Sequence, residues 1–330
     1  MVSTMMAALA LGFQQAPPTT DLTTLKPYPP KAGEGDYFIG PSYMDAPELT
    51  PRDNVPKGRV ISFVMESTDS KIYAGIAKNA PGQVVPYHRH VTVYVPQQLD
   101  MKKPAPFFIS QDSMGRGIVP TILDNMIADH RLPAMVAILI DSGGGDAQGS
   151  ERGLEYDTVS GQYAEFVEKE VLPRVTQETG GVTFTKDPNG RMTMGGSSGG
   201  ACAFSMAWYH PDLYHRVLTY SGTYVNQQSP FNAESPHGAW EYHENFIPKS
   251  KPKPLRIWME VSEKDLRAND PEETYHNWVL ANRRMAGILK AKRYHYQFVF
   301  AKDAGHTDGR VLRQTLPQAL EWVWQGYRPR

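Results

Sequence analysis

A short run of glycine and serine carries the clearest chemical signal in the sequence. It reads Gly195-Gly-Ser-Ser-Gly-Gly200, after a short apolar stretch and before small residues typical of a helix. The spacing G-x-S-x-G between a strand and a helix predicts a nucleophile elbow, a strained turn that exposes a serine. Small residues are required two positions before and after that serine, because larger side chains would collide with the adjoining strand and helix. The motif fits two frames, with either Ser197 or Ser198 as the nucleophile, and local sterics do not choose between them.

A serine hydroxyl becomes a good nucleophile only beside a histidine base, which in turn needs a carboxylate to orient it. In the chain order that goes with this elbow, the acid and then the histidine follow the serine. Asp265 follows the predicted strand Arg256–Val261, with Glu263 as the reserve, and His306 follows the predicted strand Tyr296–Phe300. The sequence therefore predicts a triad of serine, Asp265 and His306. A helix cap or a solvated loop charge is the alternative role for the acid.

The remaining reactive side chains give no second site. His88 and His90 share one face of a strand, which suits a pair of metal ligands, but no third ligand stands in register, so we expect surface residues. Cys202 is the single cysteine, which excludes an intramolecular disulfide and a cysteine zinc cage. We interpret it as a small core residue, and we expect no metal and no organic cofactor.

The elements that position these residues alternate between strands and helices. Alternation of this kind predicts an α/β fold with a mostly parallel, twisted sheet and helices on both faces, and it leaves an antiparallel pairing open for the first two strands. In such sheets ligands bind beyond the carboxyl ends of the strands. The segment Val225–Pro252 lacks a clear period and is interpreted as a cap over the site. The other predicted strands are Val60–Met65, Val91–Val95, Phe107–Ser110, Met135–Ile140, Arg191–Met194 and Arg216–Tyr220, and the predicted helices include Ala201–Tyr209 and Leu312–Trp324.

Composition limits the class of protein and its partners. The 330 residues are 40% hydrophobic and carry a formal net charge of -1, so no basic field attracts nucleic acid or anionic lipid. Residues 1–16 include a short apolar run that predicts a signal peptide, although no basic residue precedes it, and hence a periplasmic or secreted location. Residues 17–57 are interpreted as an extended N-terminal arm and residues 58–330 as the catalytic domain. No stretch is long enough for a membrane span, and nothing in the sequence indicates an oligomeric state.

Taken together, the motifs resemble one branch of a known family. The chain is similar to the putative-esterase branch of the α/β-hydrolases, which includes enterobactin (enterochelin) esterases and esterase D, over roughly residues 60–327. The resemblance is carried by His90-Val-Thr-Val-Tyr-Val-Pro96, Pro106-Phe-Phe-Ile-Ser-Gln-Asp-Ser113, Ile140-Asp141, Arg152-Gly-Leu-Glu155, Phe166 with Glu170-Val-Leu-Pro173, Gly195-Gly-Ser-Ser-Gly-Gly200 with His210-Pro-Asp212, and Gly305-His306 with Leu316, Leu320 and Trp324.

This resemblance implies roles for particular residues. The family elbow reads G-x-S-x-G-G, which makes Ser197 the nucleophile and the backbone N–H of Ser198 an oxyanion donor. The second donor is expected near Ser113, which stands where the family has glycine. Arg152 and Glu155 are expected to border the substrate pocket, with a salt bridge between them as an equally weighted alternative.

The resemblance also implies a reaction class. It predicts a serine esterase that hydrolyses a carboxylic ester, small or polymeric, through an acyl-enzyme. Trp240, in the aromatic stretch Phe231–Phe246, is a candidate substrate contact, although such aromatics more often serve packing. An acyltransferase on the same triad and a feruloyl or acetyl carbohydrate esterase are the alternatives, and a non-catalytic binding protein is the alternative from another class.

Overall fold

A mixed β-sheet forms the centre of the computed structural model, which describes residues 17–76, 83–145 and 149–328. Within those residues the sheet has 10 strands in the order β1-β2-β10-β9-β8-β7-β5-β6-β4-β3. The strands are β1 Lys26–Pro27, β2 Gly35–Ile39, β3 Arg59–Glu66, β4 His88–Val95, β5 Phe107–Gln111, β6 Val136–Ile140, β7 Arg191–Gly196, β8 Arg216–Tyr220, β9 Arg256–Lys264 and β10 His295–Gly305. Only the β3–β4 and β4–β6 pairs are antiparallel, which confirms the predicted mostly parallel sheet.

Helices cover both faces of this sheet, as predicted. They are α1 Val119–Ala128, α2 Glu151–Tyr156, α3 Gln162–Phe166, α4 Leu172–Glu178, α5 Ser198–Tyr209, α6 Ile247–Lys249, α7 Trp278–Ala291 and α8 Gly309–Val323. One apolar core joins α3, α5 and α7 to the sheet, and a second core joins α1 and α8 to its other face. Strands β5 to β8 are buried throughout because they are covered from both sides.

The residues before the predicted catalytic domain extend the sheet. β2 pairs in parallel with β10 from Gln297 to Ala301, and β1 pairs with β2. The signal-peptide prediction falls on residues 1–16, which lie outside the described residues. Among the helices of the described part of the chain, none combines the length and apolar character needed to cross a membrane.

The segment interpreted as a cap contains short helical turns instead of a long loop. They span Gly238–Trp240, Tyr242–Phe246 and α6. Tyr242 is fully buried, and its ring packs edge-on against Phe204 of α5 at a centroid distance of 4.9 Å. The segment is therefore anchored into the core behind the elbow helix.

Candidate active site

The Gly/Ser run forms a sharp turn between β7 and α5. β7 ends at Gly196, α5 begins at Ser198, and Ser197 between them has φ 55° and ψ -130°. This backbone conformation is rare for a residue with a side chain, and it persists only where the surroundings impose it. Here the Ser197 N–H donates to Tyr220 O at 2.9 Å, and the Thr223 N–H donates to Ser197 O at 3.0 Å. The turn thus raises one serine above the carboxyl ends of the central strands.

Two glycines flanking Ser197 allow the strand and the helix to come close together. A Cβ added to Gly195 would lie 2.3 Å from the carbonyl oxygen of Gly199, a contact that real side chains do not make. A Cβ added to Gly199 would lie 3.0 Å from Gln111 Cβ. The close approach therefore involves positions two before and two after Ser197, which matches the frame implied by the resemblance.

Three side chains from separate loops form one hydrogen-bonded chain. The Ser197 hydroxyl lies 2.9 Å from His306 Nε2, and His306 Nδ1 lies 2.5 Å from Asp265 Oδ1. Asp265 Oδ1 also accepts the backbone N–H of Leu266 at 2.7 Å. The Asp265 side chain is fully buried, while the His306 ring remains 20% exposed. The structure therefore brings together the three residues predicted as a triad, with the acid inside and the serine facing solvent.

The ends of two neighbouring strands hold the acid and the histidine. β9 and β10 are parallel, and their register shifts between Ala301 and Gly305, immediately before His306. Thr307 then adopts φ 48°, and its N–H donates to the Ser221 hydroxyl at 3.0 Å. The histidine is thus fixed by a strand irregularity on one side and a left-handed residue on the other.

The reserve candidates from the sequence lie elsewhere. Glu263 is exposed and accepts the backbone N–H of Asp303 at 2.7 Å, away from the histidine. The Ser198 hydroxyl lies beside the buried carboxyl of Asp157. Burial raises the pKa of Asp157 to about 7, and its hydrogen bond with Ser198 partly offsets that rise. Among the adjacent serines, Ser197 is therefore the one that contacts His306.

The predicted second oxyanion donor needs a correction. The Ser113 N–H donates to Ile140 O at 3.0 Å and so is occupied within the fold. The cause is local, because Asp112 and Ser113 both have positive φ, 54° and 48°, and the resemblance places glycine at the second of these positions. The preceding N–H, that of Asp112, donates to the Tyr156 hydroxyl at 3.2 Å.

Arg152 and Glu155 do not pair with each other. Arg152 donates through Nε and Nη2 to Asp112 Oδ2, at 2.9 and 2.7 Å. Glu155 is buried, accepts from Arg89 and receives the Gly143 N–H at 3.0 Å. The alternative of an Arg152–Glu155 bridge is therefore wrong, and Glu155 holds a loop in place instead of facing a ligand. Sequence reasoning missed Arg89 and Asp112 because each is at least 40 residues from its partner.

Trp240 is also a packing residue and not a substrate contact. Its side chain is fully buried, and its ring packs against His243 and Tyr275 at centroid distances of 4.6 and 5.5 Å. The predicted substrate contact through Trp240 is accordingly corrected to a packing role in the anchored segment. Cys202 lies in the core, where burial raises the pKa of its thiol, in agreement with its interpretation as a core residue.

The paired histidines of β4 lie on the surface. His88 is exposed and contacts Glu66 on the adjacent strand at 2.6 Å, and His90 is exposed as well. Within residues 17–76, 83–145 and 149–328, no group of three or more histidine, cysteine, aspartate or glutamate side chains is arranged to hold a metal ion.

Comparison with solved structures finds the same fold in esterases at low sequence identity. Enterobactin esterase from Shigella flexneri, in the presence of 2,3-di-hydroxy-N-benzoyl-serine, is 18% identical over 84% of this chain with a TM-score of 0.55. The chain spans 61% of the length of that enzyme. The CE1 ferulic acid esterase from Anaeromyces mucronatus is 13% identical, covering 86% of this chain and 96% of its own, with a TM-score of 0.57.

A feruloyl esterase module from Clostridium thermocellum, complexed with sinapinate, gives a TM-score of 0.52 at 17% identity, with 89% of this chain and 96% of that chain covered. No curated protein matches the chain. The sequence also matches the family described as "Putative esterase" over residues 82–323. This match spans the elbow, the acid and the histidine, and it confirms the resemblance to this family. The chain therefore belongs to the Putative esterase family, a class of carboxylic ester hydrolases built on the α/β-hydrolase fold.

Proposed function

We propose that the chain hydrolyses a carboxylic ester through an acyl-enzyme formed on Ser197. The observation that carries the proposal is the continuous hydrogen-bonded chain from Asp265 through His306 to the Ser197 hydroxyl. In this scheme His306 takes the hydroxyl proton as Ser197 attacks the ester carbonyl, and it then returns that proton to the leaving alcohol. Water repeats the sequence to release the acid.

Two backbone N–H groups stabilise the tetrahedral oxyanion in this scheme, and the first lies at the start of α5. The N–H of Ser198 lies in the first turn of this 12-residue helix, where N–H groups have no intrahelical acceptor and the helix dipole favours negative charge. We assign the second donor to the Asp112 N–H, on the segment that packs against Gly199. In this proposal the oxyanion displaces the 3.2 Å contact of that N–H with the Tyr156 hydroxyl, whereas the Ser113 N–H is held at 3.0 Å by a backbone carbonyl of the sheet. Loss of one such donor costs about 3 kcal/mol of transition-state stabilisation.

Arg152 has a supporting role in this scheme. It binds Asp112 through two N–H groups, and its own side chain is largely buried. The ion pair therefore fixes the loop that carries the proposed second donor, and it neutralises a carboxylate that would otherwise oppose a developing oxyanion.

The test compares the two adjacent serines. Ser197→Ala should lower kcat/KM on p-nitrophenyl acetate by about 10³-fold or more, while Ser198→Ala, which keeps its backbone N–H, should stay within about tenfold of the wild type. A fluorophosphonate probe should label the wild type and Ser198→Ala but not Ser197→Ala. Full activity in Ser197→Ala would refute the proposal.

The acyl group and the acceptor are addressed by a substrate panel. We propose an aromatic or carbohydrate-linked ester, on the basis of the fold shared with enterobactin and feruloyl esterases. Acetyl, feruloyl and catecholate siderophore esters should be compared, with Ser197→Ala as the control in each case. Product analysis with a sugar acceptor present separates hydrolysis from acyl transfer.

A further inference from the structure

The nucleophile of the proposed triad has another hydroxyl beside it. Thr223 is buried in the turn after β8, and its Oγ1 lies 3.4 Å from Ser197 Oγ. The backbone N–H of Thr223 also donates to Ser197 O, so its main chain and its side chain both contact the same residue. The hydrogen-bonded chain through His306 and Asp265 does not include this hydroxyl.

An indole N–H contacts the Thr223 hydroxyl in turn. Trp278 is the first residue of α7, it is buried, and its Nε1 donates to Thr223 Oγ1 at 3.3 Å. The same indole lies edge-on to the His306 ring, with the centroids 6.1 Å apart and the planes at 87°. Trp278 therefore contacts both the base and the hydroxyl beside the nucleophile.

The start of α7 is tied to the turn that carries Thr223. Asn282, one turn further along the helix, is fully buried. Its Nδ2 donates to Gly222 O at 2.8 Å and to Trp278 O at 2.9 Å. The indole and the Thr223 hydroxyl are therefore held in register by the fold itself.

The protons along these groups can be arranged in one way that uses every contact. An indole N–H can only donate, so the Thr223 oxygen accepts from Trp278 and the Thr223 proton remains for the Ser197 oxygen. In the proposed mechanism the Ser197 proton faces His306 Nε2, because the Nδ1–H of that ring is bound by Asp265. The Ser197 oxygen is therefore an acceptor towards Thr223.

We propose that Thr223 and Trp278 are positioning residues that act through Ser197. Trp278 orients the Thr223 hydroxyl, which donates to the Ser197 oxygen and leaves the Ser197 proton directed at His306. This inference rests on the proposed function. The Thr223 proton stays on its own oxygen throughout turnover, while the Ser197 proton passes to His306 and then to the leaving alcohol, as described above.

The effect of this donor depends on the charge of the nucleophile. A hydrogen bond to an ionised acceptor is about twice as strong as one between neutral groups, so the Thr223 donor contributes most when Ser197 has given up its proton. The separation of 3.4 Å is long for two hydroxyls, as catalytic hydrogen bonds often are before substrate binds. We therefore expect an effect on kcat and not on substrate binding.

Substitution of Thr223 separates its hydroxyl from its volume. Thr223→Val keeps the shape and removes the donor, so kcat on p-nitrophenyl acetate should fall about tenfold with KM within about twofold of the wild type. Thr223→Ser keeps a hydroxyl and should recover kcat to within about threefold. Thr219→Val is the matched control, because the Thr219 hydroxyl on β8 accepts from Tyr224 and does not contact Ser197. Its kcat should stay within about twofold of the wild type.

A second variant tests whether Trp278 acts through Thr223. Trp278→Phe keeps an aromatic ring beside His306 and removes the indole N–H, so kcat should fall by about threefold or more. If the indole works by orienting the hydroxyl, combining Trp278→Phe with Thr223→Val should slow the enzyme no further than Thr223→Val alone. Should thermal unfolding show that Trp278→Phe is unfolded at the assay temperature, the comparison of Thr223→Val with Thr223→Ser decides by itself.

Other results would overturn the inference. Wild-type kcat in Thr223→Val would do so, and so would a Thr223→Ser variant as slow as Thr223→Val. A rise in KM with kcat unchanged would place Thr223 in substrate binding instead. Losses that multiply in the double variant would show that Trp278 acts independently of Thr223. Failure of the proposed function is a separate result, since fluorophosphonate labelling of the wild type and of Ser197→Ala tests the nucleophile whatever the Thr223 variants do.

Discussion

Replacing Asp265 by asparagine tests the proposed catalytic chain at its most buried point. In the structure one carboxylate oxygen, Oδ1, accepts both His306 Nδ1–H and the Leu266 N–H, and the other oxygen has no partner. The amide oxygen of Asp265→Asn therefore keeps both hydrogen bonds, and its NH₂ group takes the unmatched position. The histidine should retain its tautomer, with Nε2 still facing Ser197.

The expected loss of activity in Asp265→Asn then comes from the missing negative charge. Removing one partner of a buried ion pair costs about 3 to 5 kcal/mol, and the imidazolium formed during attack would lose that partner. At 1.36 kcal/mol per tenfold change, we expect kcat to fall by about 150- to 5,000-fold, less than the roughly 10⁴-fold fall that accompanies a wrong tautomer.

The assay is steady-state hydrolysis of p-nitrophenyl acetate, with Glu263→Gln as the matched control. Glu263 lies two residues before Asp265, at the end of β9, but it accepts the Asp303 N–H at 2.7 Å and does not contact the histidine. Glu263→Gln should therefore keep kcat within about twofold of the wild type. The reasoning fails if Asp265→Asn keeps more than a third of the wild-type kcat, or if Glu263→Gln is the more damaged variant. A fall beyond 10⁴-fold would indicate that the amide is flipped.

Three further substitutions probe the framework of the site. Arg89→Met leaves Glu155 buried without its cation, so the free energy of unfolding measured in urea should fall by about 3 to 5 kcal/mol. An unchanged urea midpoint would contradict this. Gly195→Ala places a Cβ 2.3 Å from a backbone oxygen of the elbow helix, whereas Gly309→Ala meets nothing within 4 Å, so only the former should lower Tm sharply. Because burial raises the pKa of Asp157 to about 7, the folded protein keeps a proton that the unfolded chain releases above about pH 4. Through this carboxyl, stability should therefore fall by up to roughly 4 kcal/mol between about pH 4 and pH 7, and Asp157→Asn should reduce the slope of stability against pH by that amount in urea titrations at several pH values.

Strands with continuous apolar sequence were predictable because burial on both faces leaves no polar position. β6 is of this kind and follows its predicted range closely, whereas β5 ends in two buried polar residues, Ser110 and Gln111, and was predicted from its apolar start. β2 was missed because Gly35–Ile39 begins with glycine and aspartate and shows no alternation, so its place in the sheet depends on pairing with β10. Strand formation at a sheet edge is decided by a partner far away in sequence, which local patterns do not report.

At the elbow, too, the features set by local sequence were predictable and those set by contacts between elements were not. Strand, glycine spacing and helix are local, so the sequence predicted the turn, but the choice between Ser197 and Ser198 depended on the resemblance. In three dimensions the choice follows from sterics, since the close contact between Gly195 and Gly199 centres the turn on Ser197. That contact joins a strand to the helix after it and exists only once both elements are formed.

The errors at the oxyanion loop have a common physical origin. Predicting Ser113 as a donor assumed that a residue in the family's glycine position keeps its N–H free, yet the left-handed backbone at Asp112 and Ser113 turns that N–H to Ile140 O. The same turn presents the Asp112 carboxylate to Arg152, a partner 40 residues away. We infer that serine is accommodated at position 113, where the resemblance places glycine, because the long-range ion pair of Arg152 and Asp112 holds the loop in this left-handed conformation. Removing that ion pair should damage transition-state stabilisation more than substrate binding, so Arg152→Met should lower kcat on p-nitrophenyl acetate with little change in KM, and a rise in KM alone would show that Arg152 contacts the substrate instead.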